Sequence, residues 1–448
     1  MTSQEQLALL TLEAMRLGVV PETDLSGYTV GREKELSLVR LDLESAHQQG
    51  STRAFLGEYG TGKTHLLELI REEALSKNFL VARVMLNPEE TAPSHPKRVY
   101  RELIRSLEYP GNHQGTGVGL EPLLRRAAES DAALEHFQVL ATGKTRENLD
   151  DGAHLYLTAA LRYFRALHLG LKNGNRRLKK DATEEEKEYG LSLLMNWIEG
   201  HPTISNTEID EELRGIIGRQ GRVYSLLDYR PWARIYGYIL SGLAVLSKKA
   251  GYAGLVVLID EAEFYSLLSS QNREYARILF KALAFASIGG NSSHRDTENT
   301  AREFEAIPFS KEELELGGIG ILQDLPPRYS TEGGLYTVFA MTPNADGLEA
   351  LRGAVPEEQI AELTRLALED YQDLVRAVSK HYRSARGEAD LQPKIEAALS
   401  KVVAGLLHSG YIENPRQAMK FVVEFLDLLH FRPDDMAQVV GDLREMYA

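Results

Sequence analysis

The stretch Gly57-Glu58-Tyr59-Gly60-Thr61-Gly62-Lys63-Thr64 has the G-x-x-x-x-G-K-T spacing of a phosphate-binding loop. Glycines allow the backbone to wrap a polyphosphate and to aim successive N–H groups at it. Lys63 is the cation that reaches the β- and γ-phosphates, and the Thr64 hydroxyl is a ligand for Mg²⁺. These eight residues and His65 are therefore the predicted nucleotide-binding segment, with Lys63 also predicted to act in catalysis.

The residues on either side of this loop fit the same interpretation. Arg53-Ala-Phe-Leu56 is typical of a short strand, and the apolar spacing after Thr64 predicts a helix. The positive end of such a helix faces the anion that the loop holds. A glycine-rich turn that matches the motif by coincidence is the alternative, but it explains neither the strand nor the helix.

Composition narrows the class of protein. The chain has 448 residues, 43% of them hydrophobic and 26% charged, which is an ordinary globular balance with room for two or three domains. It contains no cysteine, which excludes disulfides, thiolate zinc sites and a cysteine nucleophile. The formal net charge of −14 excludes DNA binding through the overall field, so a DNA contact requires a local basic patch.

The sequence also argues against a membrane role. The first residues lack the basic region and the apolar core of a signal peptide. The longest apolar run, residues 235–246, stops at Lys248, whereas a bilayer span needs about 20 apolar residues. We therefore expect no membrane contact, and the absence of cysteine fits a cytoplasmic location.

A second segment with chemical character is Gly254-Leu-Val-Val-Leu-Ile-Asp260-Glu261. Its continuous apolar run predicts a buried strand of a parallel sheet, and its end has the form of a Walker B segment. In phosphate-loop enzymes one carboxylate at this strand end holds Mg²⁺, and a second one deprotonates the attacking water. Asp260 and Glu261 are the predicted pair, and Glu263, past the strand end, ranks below Glu261. An acidic start of the following helix is the alternative interpretation.

A third strand is predicted over residues 334–341, and Thr342 and Asn344 follow it. Ligands of open parallel sheets bind beyond the carboxyl ends of the strands, so these two polar side chains are expected near the γ-phosphate. A turn built on Pro343 and Asn344 explains the same residues without a nucleotide.

Asn414-Pro415-Arg416 predicts the start of a helix with apolar residues on one face, since proline is favoured at the first helical position. Arg416 then projects from a helix start in a C-terminal helical region, where we expect it to touch phosphate across a cleft. An exposed arginine without a ligand is the alternative.

The predicted fold is α/β, with a parallel sheet that is flanked by helices, a large helical insertion and a C-terminal helical lid. Apolar spacing near 3.6 residues predicts helices through most of residues 97–246, including one over 120–140, and helices throughout 356–448. The predicted segments are an N-terminal part (1–50), a first core part (51–110), the insertion (111–246), a second core part (247–354) and the lid (355–448). A basic stretch at residues 172–180 fits either a solvated loop or a local nucleic-acid or partner contact.

Together these segments resemble an AAA+ ATPase of the Orc/Cdc6-like branch. The resemblance implies that ATP and Mg²⁺ are the cofactors, that Gly31 and Arg32 lie on the adenine side, and that Asn87 gates the catalytic glutamate. It further implies the remaining roles: Lys63 and Thr64 in Walker A, Asp260 and Glu261 in Walker B, Thr342 or Asn344 as the first sensor, and Arg416 as the second sensor.

The chain resembles more closely the BREX phage-defence ATP-binding proteins of the BrxD type. The resembling segments extend over most of the chain: GEYGTGKTHLL, HPKRVYRELIRSL, LLDYRPWARIYGYILSGLAVL, LVVLIDEAE, LYTVFAMTPN and NPRQAMKFVVEFLD. This resemblance implies a role in anti-phage defence with a helicase or methyltransferase partner. The long segment between Lys63 and Asp260 departs from ordinary AAA+ proteins, and an insertion of that size usually carries a family's own function.

Three functions from different classes fit these residues. The first is an ATPase that assembles and acts on DNA or on a DNA-bound partner, and the second is a slow nucleotide-dependent switch or scaffold that recruits a partner enzyme. The third, a phosphate-loop kinase, is disfavoured because a kinase needs an acceptor pocket rather than a water-activating glutamate.

The AAA+ resemblance also implies a homo-oligomer that forms on ATP or DNA binding, in which a site borrows an arginine from the neighbouring subunit. Arg328 is the first candidate because it precedes the strand predicted over residues 334–341, here called the sensor strand. Arg302 and Arg273 are the next candidates.

Overall fold

The computed structural model describes residues 3–19, 25–111, 117–139, 153–169, 182–201, 206–224, 226, 228, 230–289, 325–386 and 393–432. Contacts group the chain into two compact units. The first, here called the loop unit, comprises Met1–Arg40, Leu56–Glu72 and Glu362–Ala448. The second, the sheet unit, comprises Leu41–Phe55 and Glu73–Ala361. The five predicted segments follow one another along the sequence, whereas each unit is assembled from distant stretches.

The α-helices of the described residues are, in chain order, α1 (Ser3–Leu17), α2 (Glu33–Gln48), α3 (Lys63–Ser76), α4 (Pro96–Arg105), α5 (Glu121–Glu129), α6 (Asp131–His136), α7 (Leu157–Leu169), α8 (Glu184–Ile198), α9 (Asn206–Ile217), α10 (Ala233–Lys249), α11 (Ser270–Ile288), α12 (Ala345–Arg352), α13 (Leu368–Arg386), α14 (Pro393–His408) and α15 (Pro415–Phe431). The strands are β1 (Ser51–Leu56), β2 (Phe79–Met85), β3 (Gly254–Asp260), β4 (Leu335–Met341) and β5 (Ile360–Glu362).

The five strands form one sheet in the order β2-β3-β4-β1-β5. β3 pairs in parallel with both β2 and β4, and every residue of β3 and β4 is buried, as their continuous apolar runs predict. The register places Met85 beside Asp260 and Ile259 beside Phe339, so three neighbouring strands end at similar heights. The α/β class with a parallel sheet flanked by helices is therefore confirmed.

Two predicted helical stretches are wrong in detail. The helix over 120–140 is interrupted at Ser130, whose backbone is extended and whose hydroxyl accepts the N–H of Ala133, so that a new helix begins there. The prediction of helices throughout 356–448 misses β5, because Ile-Ala-Glu is too short to show strand periodicity. Within residues 97–246, where helices are predicted, α8 starts with a capping box at Thr183.

The loop unit has its own hydrophobic core, formed by α1, α13, α14 and α15. Met15, Val378 and Val422 are fully buried in it. Asp427 of α15 joins these helices, since it accepts hydrogen bonds from Arg16 Nη2 at 2.7 Å and from the Tyr382 hydroxyl at 2.7 Å. The N-terminal helix thus packs with the C-terminal helices, a contact that local sequence patterns do not predict.

Across the described ranges, no helix has the length and apolar character that a membrane span requires. Arg302 and the basic stretch 172–180 lie outside these ranges.

Candidate functional site

The phosphate loop follows β1 and depends on its glycines. Gly60 and Gly62 have φ angles of +81° and +94°, in the region that other residues rarely adopt. A Cβ on Gly57 would lie 2.5 Å from the Thr61 hydroxyl oxygen, which is closer than any real contact. That hydroxyl donates to Glu58 O at 2.8 Å, so the loop is closed on itself by its own side chain.

Lys63, the first residue of α3, has its cation inside the loop. Its side chain is only 8% exposed, and Nζ donates to Gly57 O at 2.9 Å. The N–H of Leu66 donates to Gly62 O at 2.9 Å, so helical bonding begins directly at the loop. Thr64 lies half-buried in the first turn of α3. A buried cation beside oriented backbone N–H groups suits a polyphosphate.

Arg32 holds the loop from the side. Its guanidinium is 3% exposed, hydrogen-bonds Thr61 O, and donates to Thr364 O at 3.0 Å. An ion pair with the buried Glu35 at 3.3 Å completes its contacts at the start of α2. These hydrogen bonds of Arg32 fix the backbone of the phosphate loop, a role that the resemblance did not include. The preceding residue, Gly31, has φ of +64°, and a Cβ there would lie 2.8 Å from Asp370 Cγ.

His65 links α3 to the segment before α2. Its Nε2 lies 2.9 Å from the Thr29 hydroxyl, which donates its own proton to Leu25 O at 2.6 Å. Since that proton is already used, Nε2 of His65 carries the hydrogen. Its ring lies 5.5 Å from that of Tyr28. Burial, together with the Arg32 charge, lowers the pKa of His65 to about 4, so the imidazole is neutral at pH 7.

The start of α15 contacts the phosphate loop. Asn414 caps this helix, because its side chain accepts the N–H of Gln417 at 3.0 Å, and Pro415 follows as predicted. A Cβ on Gly60 would lie 2.7 Å from Asn414 Cβ, so the cap residue packs directly on the loop. Arg416 is exposed and lies against Gly18, where an added Cβ would be 3.1 Å from its Cγ. Asn414 is the site residue that the sequence interpretation missed.

In the sheet unit, the end of β3 presents the carboxylate pair. Asp260 is 6% exposed, and one of its oxygens accepts the N–H of Glu261 at 2.9 Å. Glu261 has φ of +58° and ψ of +35°, the left-handed conformation, and it begins the 3₁₀ helix Ala262–Leu267. This conformation costs a residue with a side chain roughly 1–3 kcal/mol and is found where the surroundings impose it, often at functional sites.

The polar residues at the neighbouring strand ends have other partners. The Thr342 hydroxyl donates to Glu263 Oε1, which brings the lower-ranked acid into contact with the predicted sensor. Asn344 caps α12, with its Oδ1 accepting the N–H of Gly347 at 2.8 Å. Asn87 caps the loop after β2, where its Oδ1 accepts the N–H groups of Glu89 and Glu90 at 3.0 and 2.6 Å.

The family model of BREX system ATP-binding proteins BrxC/D matches residues 4–283, more than half of the 448 residues. The chain belongs to the BrxC/D family. No curated protein matches it. The matched residues include the phosphate loop and the Asp260–Glu261 pair, so ATP binding and the BREX connection that the resemblance implied are confirmed. Thr342, Asn344 and Arg416 lie beyond the match, and the roles of all the predicted site residues stay predictions.

The arginine candidates of this BrxC/D protein differ in their surroundings. Arg273 donates to Asp346 at 2.6 Å, to Ser266 O at 2.6 Å and to Leu268 O at 3.0 Å, so its guanidinium is occupied within its own chain. Arg328 is half-buried, and burial lowers its pKa to about 10. Within the described part of the chain its Nη2 has no hydrogen-bond partner.

Each unit offers an oxygen group of the kind that Mg²⁺ prefers: the Thr64 hydroxyl in the loop unit and the Asp260 carboxylate in the sheet unit. Among the described residues, no three His, Asp or Glu side chains cluster as an all-protein metal site.

Proposed function

We propose that this BrxC/D protein hydrolyses ATP with Mg²⁺ and couples hydrolysis to its assembly or to remodelling of DNA or a partner in anti-phage defence. The observation that carries the proposal is Glu261, held in a left-handed conformation directly after the buried Asp260. ATP binding alone needs no second carboxylate in a costly backbone conformation, whereas a general base needs a fixed direction.

In the proposed reaction the backbone N–H groups of the phosphate loop and Lys63 hold the polyphosphate. Asp260 and Thr64 would hold Mg²⁺, which when bound draws negative charge off the phosphate oxygens. Glu261 accepts a proton from a water molecule, whose oxygen forms the new bond to the γ-phosphorus as the bond to the β–γ bridging oxygen breaks. ADP and inorganic phosphate leave, and Glu261 returns its proton to solvent.

The direct test is phosphate release by the purified full chain in ATP with Mg²⁺, compared with ATP in excess EDTA and with the Lys63→Ala variant. We expect turnover that requires both the metal and Lys63. A wild-type rate that equals the Lys63→Ala rate would show that the chain binds ATP without hydrolysing it.

A slow switch that recruits a helicase or methyltransferase partner is the second candidate. It is favoured by Asn344 and Asn87, since both side-chain oxygens already cap backbone N–H groups rather than face a nucleotide. ATPase rates with and without DNA separate the two candidates, because a DNA-acting motor is accelerated by its substrate and a scaffold is not. Phosphoryl transfer to an acceptor other than water would instead establish a kinase.

Direct DNA contact has a candidate surface on α4. Its apolar side is buried, while Arg98, Arg101 and Arg105 recur on the other side at helical spacing. Arg101, Arg105 and Lys97, after burial, also lower the pKa of His201, so three cations act on the same imidazole in a protein of net charge −14. Phosphate contacts of this kind make binding strongly salt-dependent.

Fluorescence anisotropy with labelled duplex and single-stranded DNA tests that surface. We expect the double charge reversal Arg101→Glu/Arg105→Glu to weaken DNA binding at least tenfold and to leave basal ATP hydrolysis unchanged. The matched control reverses two exposed arginines elsewhere, Arg352 and Arg376. Equal losses in both variants would mean that only total charge matters.

The proposed homo-oligomer is tested by mixing. Arg328→Ala subunits should be inactive alone and should regain activity with Lys63→Ala subunits, because each then supplies the half-site that the other lacks. Light scattering with ATP measures the mass in parallel. A monomer that hydrolyses ATP at the full rate would contradict the borrowed arginine.

A further inference from the structure

Two separate contacts hold the segment after β3 to the end of β4 and to α12, both within the sheet unit. The first is the Thr342 hydroxyl on Glu263 Oε1. The second is the ion pair at 2.6 Å between Arg273, near the start of α11, and Asp346 of α12, four residues past Thr342. Glu263 therefore fastens the turn that starts at Glu261 to the end of β4, and Arg273 joins α11 to α12 beside it.

Arg273 extends this attachment over the whole turn. Besides Asp346, its guanidinium donates to the backbone carbonyls of Ser266 and Leu268, at the end of the 3₁₀ helix and just beyond it. Three acceptors on two elements leave the side chain little freedom to swing away. Its contacts match those of a brace inside one subunit rather than a group that reaches a neighbour.

Glu263 is an unusual choice for a purely structural contact. One carboxylate oxygen accepts from Thr342, while Oε2 is buried without a hydrogen-bond partner among the described residues. Leaving a buried polar atom unpaired costs roughly 1–3 kcal/mol. Such a cost at a position two residues from Glu261 points to a functional constraint.

We propose that Glu263 and Arg273 are positioning residues, which clamp the 261–268 turn to the end of β4 and to α12 and thereby fix the direction of the Glu261 carboxylate. Glu261 keeps a left-handed backbone only while its surroundings impose one. Thr342 then acts on the reaction through Glu263 instead of touching the nucleotide itself. This inference rests on the proposed ATP hydrolysis.

The experiment measures kcat and KM for Glu263→Ala, Glu263→Gln, Thr342→Val and Thr342→Ser in the full-length protein, with thermal unfolding as a folding check. We expect Glu263→Ala and Thr342→Val each to lower kcat by about 10- to 100-fold with KM within twofold, since small misplacements of a catalytic group have effects of this size. Glu263→Gln and Thr342→Ser retain the acceptor and the donor, so they should restore most of the loss. The double variant Glu263→Ala/Thr342→Val should be no worse than either single one, because both remove the same contact.

Arg273→Ala provides a second test. If Arg273 holds the turn within its own subunit, the substitution should lower kcat in every subunit that carries it. Mixing with Lys63→Ala subunits should then restore no activity. Restoration by mixing would identify Arg273 as a borrowed arginine and overturn its part of the clamp.

The outcomes separate this inference from the function on which it rests. If wild type hydrolyses ATP well above Lys63→Ala while Glu263→Ala and Thr342→Val match wild type, the clamp is wrong and the ATPase stands. If Glu263→Gln is as inactive as Glu263→Ala, Glu263 is itself the base. If wild type is no faster than Lys63→Ala, the proposed function fails and the clamp fails with it.

Discussion

The phosphate loop and the end of β3 at Asp260 differ in the chemical groups that they present and in the contacts that hold those groups. In the loop unit the groups offered to a ligand are backbone N–H groups, and the side chains around them serve the backbone: Arg32 binds Thr61 O, and Asn414 packs on Gly60. In the sheet unit the groups proposed to act are carboxylates, and one side chain holds another, as the Thr342 hydroxyl does when it donates to Glu263. The first arrangement suits binding, and the second suits proton transfer, which requires one group in one direction.

The largest expected effect tests the strand end. Glu261→Gln keeps the size and hydrogen bonding of the side chain but cannot take a proton. ATP should bind with unchanged affinity, while kcat should fall by roughly 10²–10⁴. Phosphate release and calorimetry on the same preparation measure the two effects.

The matched control is Glu274→Gln, an exposed acid of α11 that pairs with Arg277. It should match wild type in both measurements. Normal turnover by Glu261→Gln would show that another group accepts the proton. The contrast between the phosphate loop and the end of β3 would then no longer hold.

The next effect tests the loop as a binding element. Lys63→Ala removes a buried cation whose charge-assisted hydrogen bonds are worth roughly 1.5–3 kcal/mol, so the dissociation constant for ATP should rise by about 10- to 150-fold. Isothermal calorimetry with Lys77→Ala as the control measures this. An unchanged affinity would contradict the phosphate-loop interpretation.

The same contrast explains what could be predicted from the sequence. The loop was predictable residue by residue, because its function requires glycine at positions 60 and 62, where φ is strongly positive. The strands β3 and β4 were predictable because strands buried on both sides must be apolar throughout.

The hydrogen-bond partners of individual side chains were harder to predict from the sequence. Thr342, Asn344 and Asn87 stand at the strand ends where polar residues were expected, yet a strand end does not say whether a side chain faces a ligand or caps a loop. The contacts of Arg32 with Thr364 and of Gly60 with Asn414 join residues more than 300 positions apart, and no local pattern encodes them.

The third prediction uses pH to probe the loop unit. His65 has a pKa of about 4 in the folded protein against 6.5 ordinarily, so between these values the unfolded chain binds a proton that the folded protein does not. Stability from this group is complete above pH 6.5 and is lost as the pH falls toward 4. From pH 7 to pH 5 the loss amounts to about 2 kcal/mol.

Urea unfolding followed by circular dichroism at both pH values measures this loss in wild type and in His65→Gln. The variant should lose about 2 kcal/mol less than wild type, because carboxylate titration is common to both. His408→Gln, at an exposed position in α14, should behave like wild type. A wild-type loss that His65→Gln reproduces in full would place the pH dependence outside the loop unit's buried histidine.

The smallest expected effect tests whether the loop's shape depends on the lid helix α15. Gly60→Ala creates two problems: a residue with a side chain at φ of +81°, and a Cβ 2.7 Å from Asn414 Cβ. The first costs about 1–2 kcal/mol, and the second adds to it. Adding Asn414→Gly removes only the steric problem and weakens the α15 cap by a few tenths of a kcal/mol. The double variant should therefore bind ATP more tightly than Gly60→Ala and more weakly than wild type.

Gly215→Ala in α9, where a Cβ would meet nothing within 4 Å, is the control and should leave ATP affinity unchanged. If Asn414→Gly relieves nothing, the backbone conformation alone sets the loop, and its contact with α15 has no part in holding the nucleotide.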